Sequence, residues 1–164
     1  MLKLAEVNAM DRELFAAEIG PVYEHSPWVT ARTAKARPFA TLEELVAALR
    51  RTVEQASEEE KICLIRAHPD LVGQTVLTSE SQAEQQAAGL DHLPGEEASQ
   101  FRDYNRRYRK KFGFPFVICA RENKKSAILA AFPERLQNSR ENEVAIALGE
   151  IFKIAELRLR ELVT

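Results

Sequence analysis

Cysteine, histidine and glycine are all scarce in this chain. Among 164 residues there are two cysteines, three histidines, six glycines and one tryptophan. Cys63 and Cys119 both lie among apolar residues, so they read as reduced core thiols and not as a disulfide framework. The histidines are His25, His68 and His92, with no His-x-x-x-His or Cys-x-x-Cys spacing, so no metal site is expected. A Gly-x-Ser-x-Gly elbow is absent, which removes the usual serine-hydrolase reading. Neither sign of charge dominates. Lys and Arg total 23 against 25 for Asp and Glu, and without a basic excess a nucleic-acid partner is not expected. No apolar run approaches the roughly 20 residues that cross a bilayer. Met1 to Glu6 turns polar too soon for a secretion signal, and Glu161-Leu162-Val163-Thr164 is no peroxisomal tripeptide. The expected location is the cytoplasm.

What remains is 45% apolar and 29% charged, the profile of an ordinary globule long enough to bury a core. Most of it carries helical spacing. Asn8 is placed to cap a helix from Ala9 to Ile19, which Gly20-Pro21 ends. Ser26-Pro27 starts another, and Arg37-Pro38-Phe39 breaks the chain again. Thr41-Leu42-Glu43-Glu44 and Ser57-Glu58-Glu59-Glu60 are capping boxes. The first opens a helix with Leu42, Leu45, Val46, Leu49 and Val53 in phase; the second opens one that runs to His68. A loop from Val72 to Leu77 leads to a helix over about Glu80 to Ala88, capped by Thr78 or Ser79 and closed by Gly89. A charged helix follows over about Glu96 to Lys111, with Phe101, Tyr104 and Tyr108 on one side. Asn123 is placed to cap a helix through Phe132, with a kink or break expected at Pro133. Ser139 caps a last helix to about Leu162. Phe116 to Ala120 is the one convincing extended stretch. The expected fold is all-α: a single compact multi-helix domain over 1–164 with one buried extended segment at about 114–120.

Three places have residue types that do chemistry. In Ala67-His68-Pro69-Asp70-Leu71 the proline stops the helix, placing His68 on its last turn. The exposed carbonyls there favour an imidazolium, so His68 is either a cap or a proton donor. Next, Ser81, Glu84, Gln85 and Ala88 share one helical face. That face is either solvated or a recognition surface for a polar, urea-like ligand. Lastly, the backbone of Gly113 to Ala120, if buried, needs partners; an amide-rich ligand or neighbouring side chains would supply them. In the last helix, Val144, Leu148, Ile151, Ala155, Leu159 and Leu162 form the main apolar cluster at roughly 100° per residue. Arg158 falls at its edge and Arg160 opposite. An inward Arg158 requires an anion, either an internal carboxylate or a substrate. A second stripe of Ile146, Ile154 and Leu157 makes this helix central to the fold or part of a homodimer contact.

Taken together and in order, His68-Pro69-Asp70-Leu71, Ser81-Gln82-Ala83-Glu84-Gln85, Ala88-Gly89-Leu90 and Lys111-Phe112-Gly113-Phe114-Pro115-Phe116 resemble the OHCU decarboxylase family. The resemblance covers nearly the whole chain. It implies an all-helical fold, no metal or organic cofactor, a homodimer, and conversion of 2-oxo-4-hydroxy-4-carboxy-5-ureidoimidazoline (OHCU) to (S)-allantoin in urate breakdown. By position, His68 would be the essential acid and Glu84 its carboxylate partner. Pro69, Ser81, Gln85 and the backbone of Phe116, Val117, Ile118, Cys119 and Ala120 would hold the ureido and ring amides. Arg158 would orient the carboxylate. The loop between Leu71 and Ser81 is short for the family. The rival readings are a non-catalytic helical interaction module, which would use the second apolar stripe, and a metal-dependent hydrolase, which a chelator would inactivate.

Overall fold

The structure is a computed structural model that describes residues 1–73 and 76–164. Residues 74 and 75, inside the loop expected from Val72 to Leu77, lie outside the described residues. Among the described residues the only regular structure is helical, apart from an isolated parallel bridge between Leu2 and Val163. The helices are α1 (Leu4–Ala9), α2 (Arg12–Ile19), α3 (Pro27–Thr33), α4 (Leu42–Glu54), α5 (Glu58–Arg66), α6 (Ser79–Ala87), α7 (Gly95–Phe112), α8 (Lys125–Arg135) and α9 (Arg140–Leu162). Short 3-10 turns follow α2 and α3. The chain divides into two compact units, one of Met1–Ala67 with Phe152–Thr164, the other of His68–Ile151. None of the helices is long and apolar enough to cross a membrane, among the described residues.

The first unit packs α2 on α3 and α3 on α4 over Phe15, Ile19, Val29, Leu45, Leu49 and Val53. Its helix starts follow the sequence closely. Thr41 Oγ1 accepts from the Glu44 amide at 3.2 Å. Ser57 and Glu60 close a reciprocal capping box, at 3.2 and 3.0 Å. Ser26 precedes Pro27 as expected, although its hydroxyl donates to the Glu24 carbonyl at 2.9 Å and not to α3.

Three expectations need correction in this unit. Asn8 does not cap a helix; it lies inside α1, and its carboxamide pairs in both directions with the backbone of Phe39. Asp11 does the capping, its carboxylate accepting from the Leu14 amide at 2.8 Å. Cys63 is exposed, not a core thiol. Its sequence neighbours Ile62, Leu64 and Ile65 are buried, but a step of roughly 100° per residue turns Cys63 out. Finally, α5 ends at Arg66 with Ala67 closing it, so His68 lies beyond the last turn. A proline excludes helical dihedrals from the residue before it, so the break begins at His68 itself.

In the second unit α6 is capped by Thr78, whose hydroxyl accepts from the Ser81 amide at 3.3 Å. It ends in two paired bonds, Gly89 N–H to Gln86 O and Leu90 N–H to Gln85 O, both 2.9 Å, with Gly89 at φ +78°. Gly113 ends α7 at φ +79°. Of the kink or break expected at Pro133, the break does not occur: α8 continues to Arg135, because a proline in the last turn removes a single amide bond close to the helix end. Asn123 is not the cap of α8; its side chain donates to the Cys119 carbonyl at 2.9 Å. Residues 114–120 are non-helical and all buried, as the apolar run predicted. Phe116 stacks on Phe132 with centroids 3.8 Å apart and meets Tyr108 edge-on at 5.3 Å.

Candidate functional site

The second unit holds its expected polar residues inside. Its α6 is short and polar, yet Ser81, Glu84, Gln85 and Ala88 are buried at 5, 7, 8 and 4% exposure, and His68 at 6%. The shared face is therefore not a solvated one. Pro69 is half-buried. A hydroxyl, a carboxylate and a carboxamide withdrawn from water together carry a desolvation cost that must be offset by partners.

Part of that compensation is visible in how the chain after His68 is held. Gln85 Oε1 accepts from the Val72 amide at 3.2 Å, and its Nε2 donates to the Asp70 carbonyl at 3.4 Å. From α7, Asn105 Nδ2 donates to the Leu71 carbonyl at 2.7 Å, and Arg109 Nε meets both Asp70 carboxylate oxygens at 2.9 and 3.1 Å. Three successive backbone units are thus fixed next to His68-Pro69. A carboxamide nitrogen carries two hydrogens, so Gln85 keeps a second donor beyond its loop contact.

The extended segment is tied just as firmly. Arg135 Nη1 donates to the Val117 carbonyl at 2.6 Å, and its guanidinium lies 4.1 Å from the Phe116 ring centroid. Glu143, fully buried, pairs with Arg135 at 2.9 Å and also accepts from Tyr108 Oη and from Asn138 at 3.0 Å. Burial, and then the bond to Glu143, pushes the Tyr108 hydroxyl above its ordinary range, so it donates and stays neutral. Glu150 accepts from the Cys119 amide at 2.8 Å, while the Cys119 carbonyl takes Asn123 at 2.9 Å and the Glu122 amide at 3.2 Å. Neighbouring groups therefore use both backbone groups of Cys119 and the carbonyl of Val117. Burial also pushes the Cys119 thiol up, away from thiolate character.

Arg121 was missed in the sequence. It directly follows the segment, and its Nε lies 3.8 Å from Glu84 Oε1. Asn105 was missed too, although its spacing from Phe101, Tyr108 and Phe112 puts it in phase with the buried face of α7. The Arg135–Glu143 pair left no local signal, since it joins two helices.

Arg158 belongs to the first unit. It is buried, as the helical arithmetic predicted, and Arg160 is exposed. Of the two anions open to it, the internal carboxylate is present: Arg158 Nη1 donates to Glu24 Oε2 at 2.9 Å and to the Pro21 carbonyl at 3.3 Å.

Comparison with known proteins matches residues 8–160 to a family described as OHCU decarboxylase. The 2-oxo-4-hydroxy-4-carboxy-5-ureidoimidazoline decarboxylase of Haloferax volcanii is 44% identical over 160 residues, covering 98% of this chain and 95% of that protein. The mouse protein of the same name is 36% identical, covering 98% and 93%. The crystal structure of an (S)-allantoin synthase superposes with a TM-score of 0.81 at 29% identity, over 99% of this chain and 54% of that one. A crystal structure of OHCU decarboxylase in the presence of (S)-allantoin gives 0.73 at 27% identity, over 86% and 94%. An all-helical chain with a buried histidine and a buried Ser-Glu-Gln face, matched to one profile from Asn8 to Arg160, belongs to the OHCU decarboxylase family.

Proposed function

We propose that this protein is a carboxy-lyase that converts OHCU to (S)-allantoin in urate degradation. The observation that carries the reading is the burial of His68, Ser81, Glu84 and Gln85 in the second unit of a chain matched to the family nearly end to end.

The substrate explains why such groups suffice. One ring carbon bears both a hydroxyl and a carboxylate, and the adjacent carbon bears the ureido group and a C=N bond. When the bond to the carboxylate breaks, CO2 leaves and the electron pair forms a new C=C bond. The C=N pair moves to nitrogen, which takes a proton. The resulting enol loses its hydroxyl proton as the ureido carbon gains one, setting the stereocentre. The substrate is its own electron sink, so the reading includes no cofactor and no metal.

In this reading His68 is the acid at the hydroxyl or carboxylate, and Glu84 is its carboxylate partner. Pro69, Ser81, the second Gln85 donor and the backbone from Phe116 to Ala120 hold the ureido and ring amides. Because Val117 and Cys119 already use backbone groups internally, their remaining contribution is the amide of Val117 and the shape of Cys119. Arg158 is assigned to the carboxylate. The role given to it is positioning, since a tightly held carboxylate would stabilise the ground state and slow its departure. The reading extends to a cytoplasmic homodimer, to be checked by light scattering on the eluting protein.

The test is to add the protein to freshly generated OHCU, follow its ultraviolet decay, and measure the chirality of the allantoin. Accelerated decay to the (S) enantiomer is expected. Spontaneous decay to racemic allantoin would leave the helical interaction module as the better account, and loss of activity with chelator would favour a metal-dependent enzyme.

A further inference from the structure

We infer that Arg121 is a positioning residue for Glu84, holding that carboxylate in place and aimed. The inference deepens the decarboxylase reading and rests on it, because it gives Glu84 its catalytic meaning.

Glu84 is a carboxylate whose side chain is 8% exposed, on a helix face that also buries Ser81 and Gln85. A buried carboxylate needs a partner that fixes its direction. A guanidinium is permanently charged and presents its donors in a planar fork, which suits it to orient a carboxylate. Arg121 stands at that place, with Nε 3.8 Å from Glu84 Oε1 and a side chain three-quarters withdrawn from solvent.

Its backbone gives the contact meaning. Residues 120–122 form a turn at the end of the buried segment. The turn is pinned by Glu150 on the Cys119 amide, by Asn123 and the Glu122 amide on the Cys119 carbonyl, and by the Asn123 amide on the Ala120 carbonyl at 3.4 Å. Upstream, Arg135 fixes Val117. The guanidinium thus reaches Glu84 from a rigid base. Arg121 ties the segment proposed to bind the substrate amides to the helix proposed to supply the carboxylate, so both keep one register.

The test is a kinetic double-mutant cycle on fresh OHCU with wild type, Arg121→Gln, Glu84→Gln and the double variant, with Arg121→Lys as the conservative control. Rates come from single turnovers with enzyme in excess, and the enantiomeric excess of the allantoin separates catalysed from spontaneous decay. Arg121→Gln is expected to lower kcat about tenfold with KM changed less than about twofold, and Arg121→Lys to restore most of the loss. On top of Glu84→Gln, the Arg121→Gln change should cost less than about twofold, because the group it acts through is gone. Equal losses in both backgrounds would overturn the inference, since Arg121 would then act on the substrate or the fold independently. Full activity in Arg121→Gln would overturn it as well. A wild-type protein with no turnover is a different outcome, and it removes the decarboxylase reading together with this assignment.

Discussion

His68 is buried beside a backbone that other side chains hold from Asp70 to Val72, so its replacement isolates chemistry from folding. Changing it to Asn keeps a polar side chain of similar reach but no titratable group. A loss of about 10²- to 10⁴-fold in kcat is expected, with a melting temperature close to wild type. Near-normal turnover would remove His68 from the mechanism. At this scale the sequence was legible where one residue's type and spacing decided the outcome. The burial of Ser81, Glu84 and Gln85 followed from their shared face only once the family pattern was weighed, since composition alone favours solvation for such a set. Arg158 could be told from Arg160 by helical angle alone. Arg121 could not be found this way, because its partner lies on another element 37 positions earlier (121 against 84) and nothing local marks a long-range ion pair.

Among the elements, the caps at Thr41, Ser57 and Thr78 were read correctly and the asparagine caps were not. Thr41, Ser57 and Thr78 each receive an amide from three residues on, as their side-chain chemistry dictates. Asn8 failed as a cap because its carboxamide found a better use in pairing both backbone groups of Phe39, a contact 31 residues away. Pro133 failed as a breaker because its place near the end of α8 limits the damage to one turn. The end of α6 gives the sharpest test. Gly89 holds φ +78°, and a Cβ built there meets nothing within 4 Å, so the cost of Gly89→Ala is backbone strain with no clash added. A loss of about 1 kcal/mol in urea unfolding is expected, with the slope of the transition unchanged. A neutral result would mean that the two capping bonds of Gly89 and Leu90 do not hold α6 in place.

At the scale of the whole molecule, the all-helical class followed from spacing and glycine scarcity, whereas the division into two units did not. Contacts between distant helices set that division, and no local composition marks it. Each unit buries a tyrosine: Tyr23 in the first and Tyr108 in the second. Burial is the largest cause in both cases and pushes each phenol above its ordinary value of 10.0. For Tyr23 the Arg50 charge works against that rise and the Glu54 charge adds to it. A phenol with a raised folded pKa contributes stability that is complete below the unfolded value. As pH climbs past about 10 the unfolded chain ionises while the folded one keeps its proton, so stability falls by up to about 1.4 kcal/mol per pH unit for each tyrosine. Urea midpoints measured from about pH 9 to about pH 11 should therefore decline, and Tyr23→Phe should make the decline shallower by removing one of the two phenols. Lysine ion pairs weaken over the same range, but they are common to both proteins and cancel in the difference. If the two curves ran parallel, the buried Tyr23 hydroxyl would have no part in the alkaline loss of the first unit.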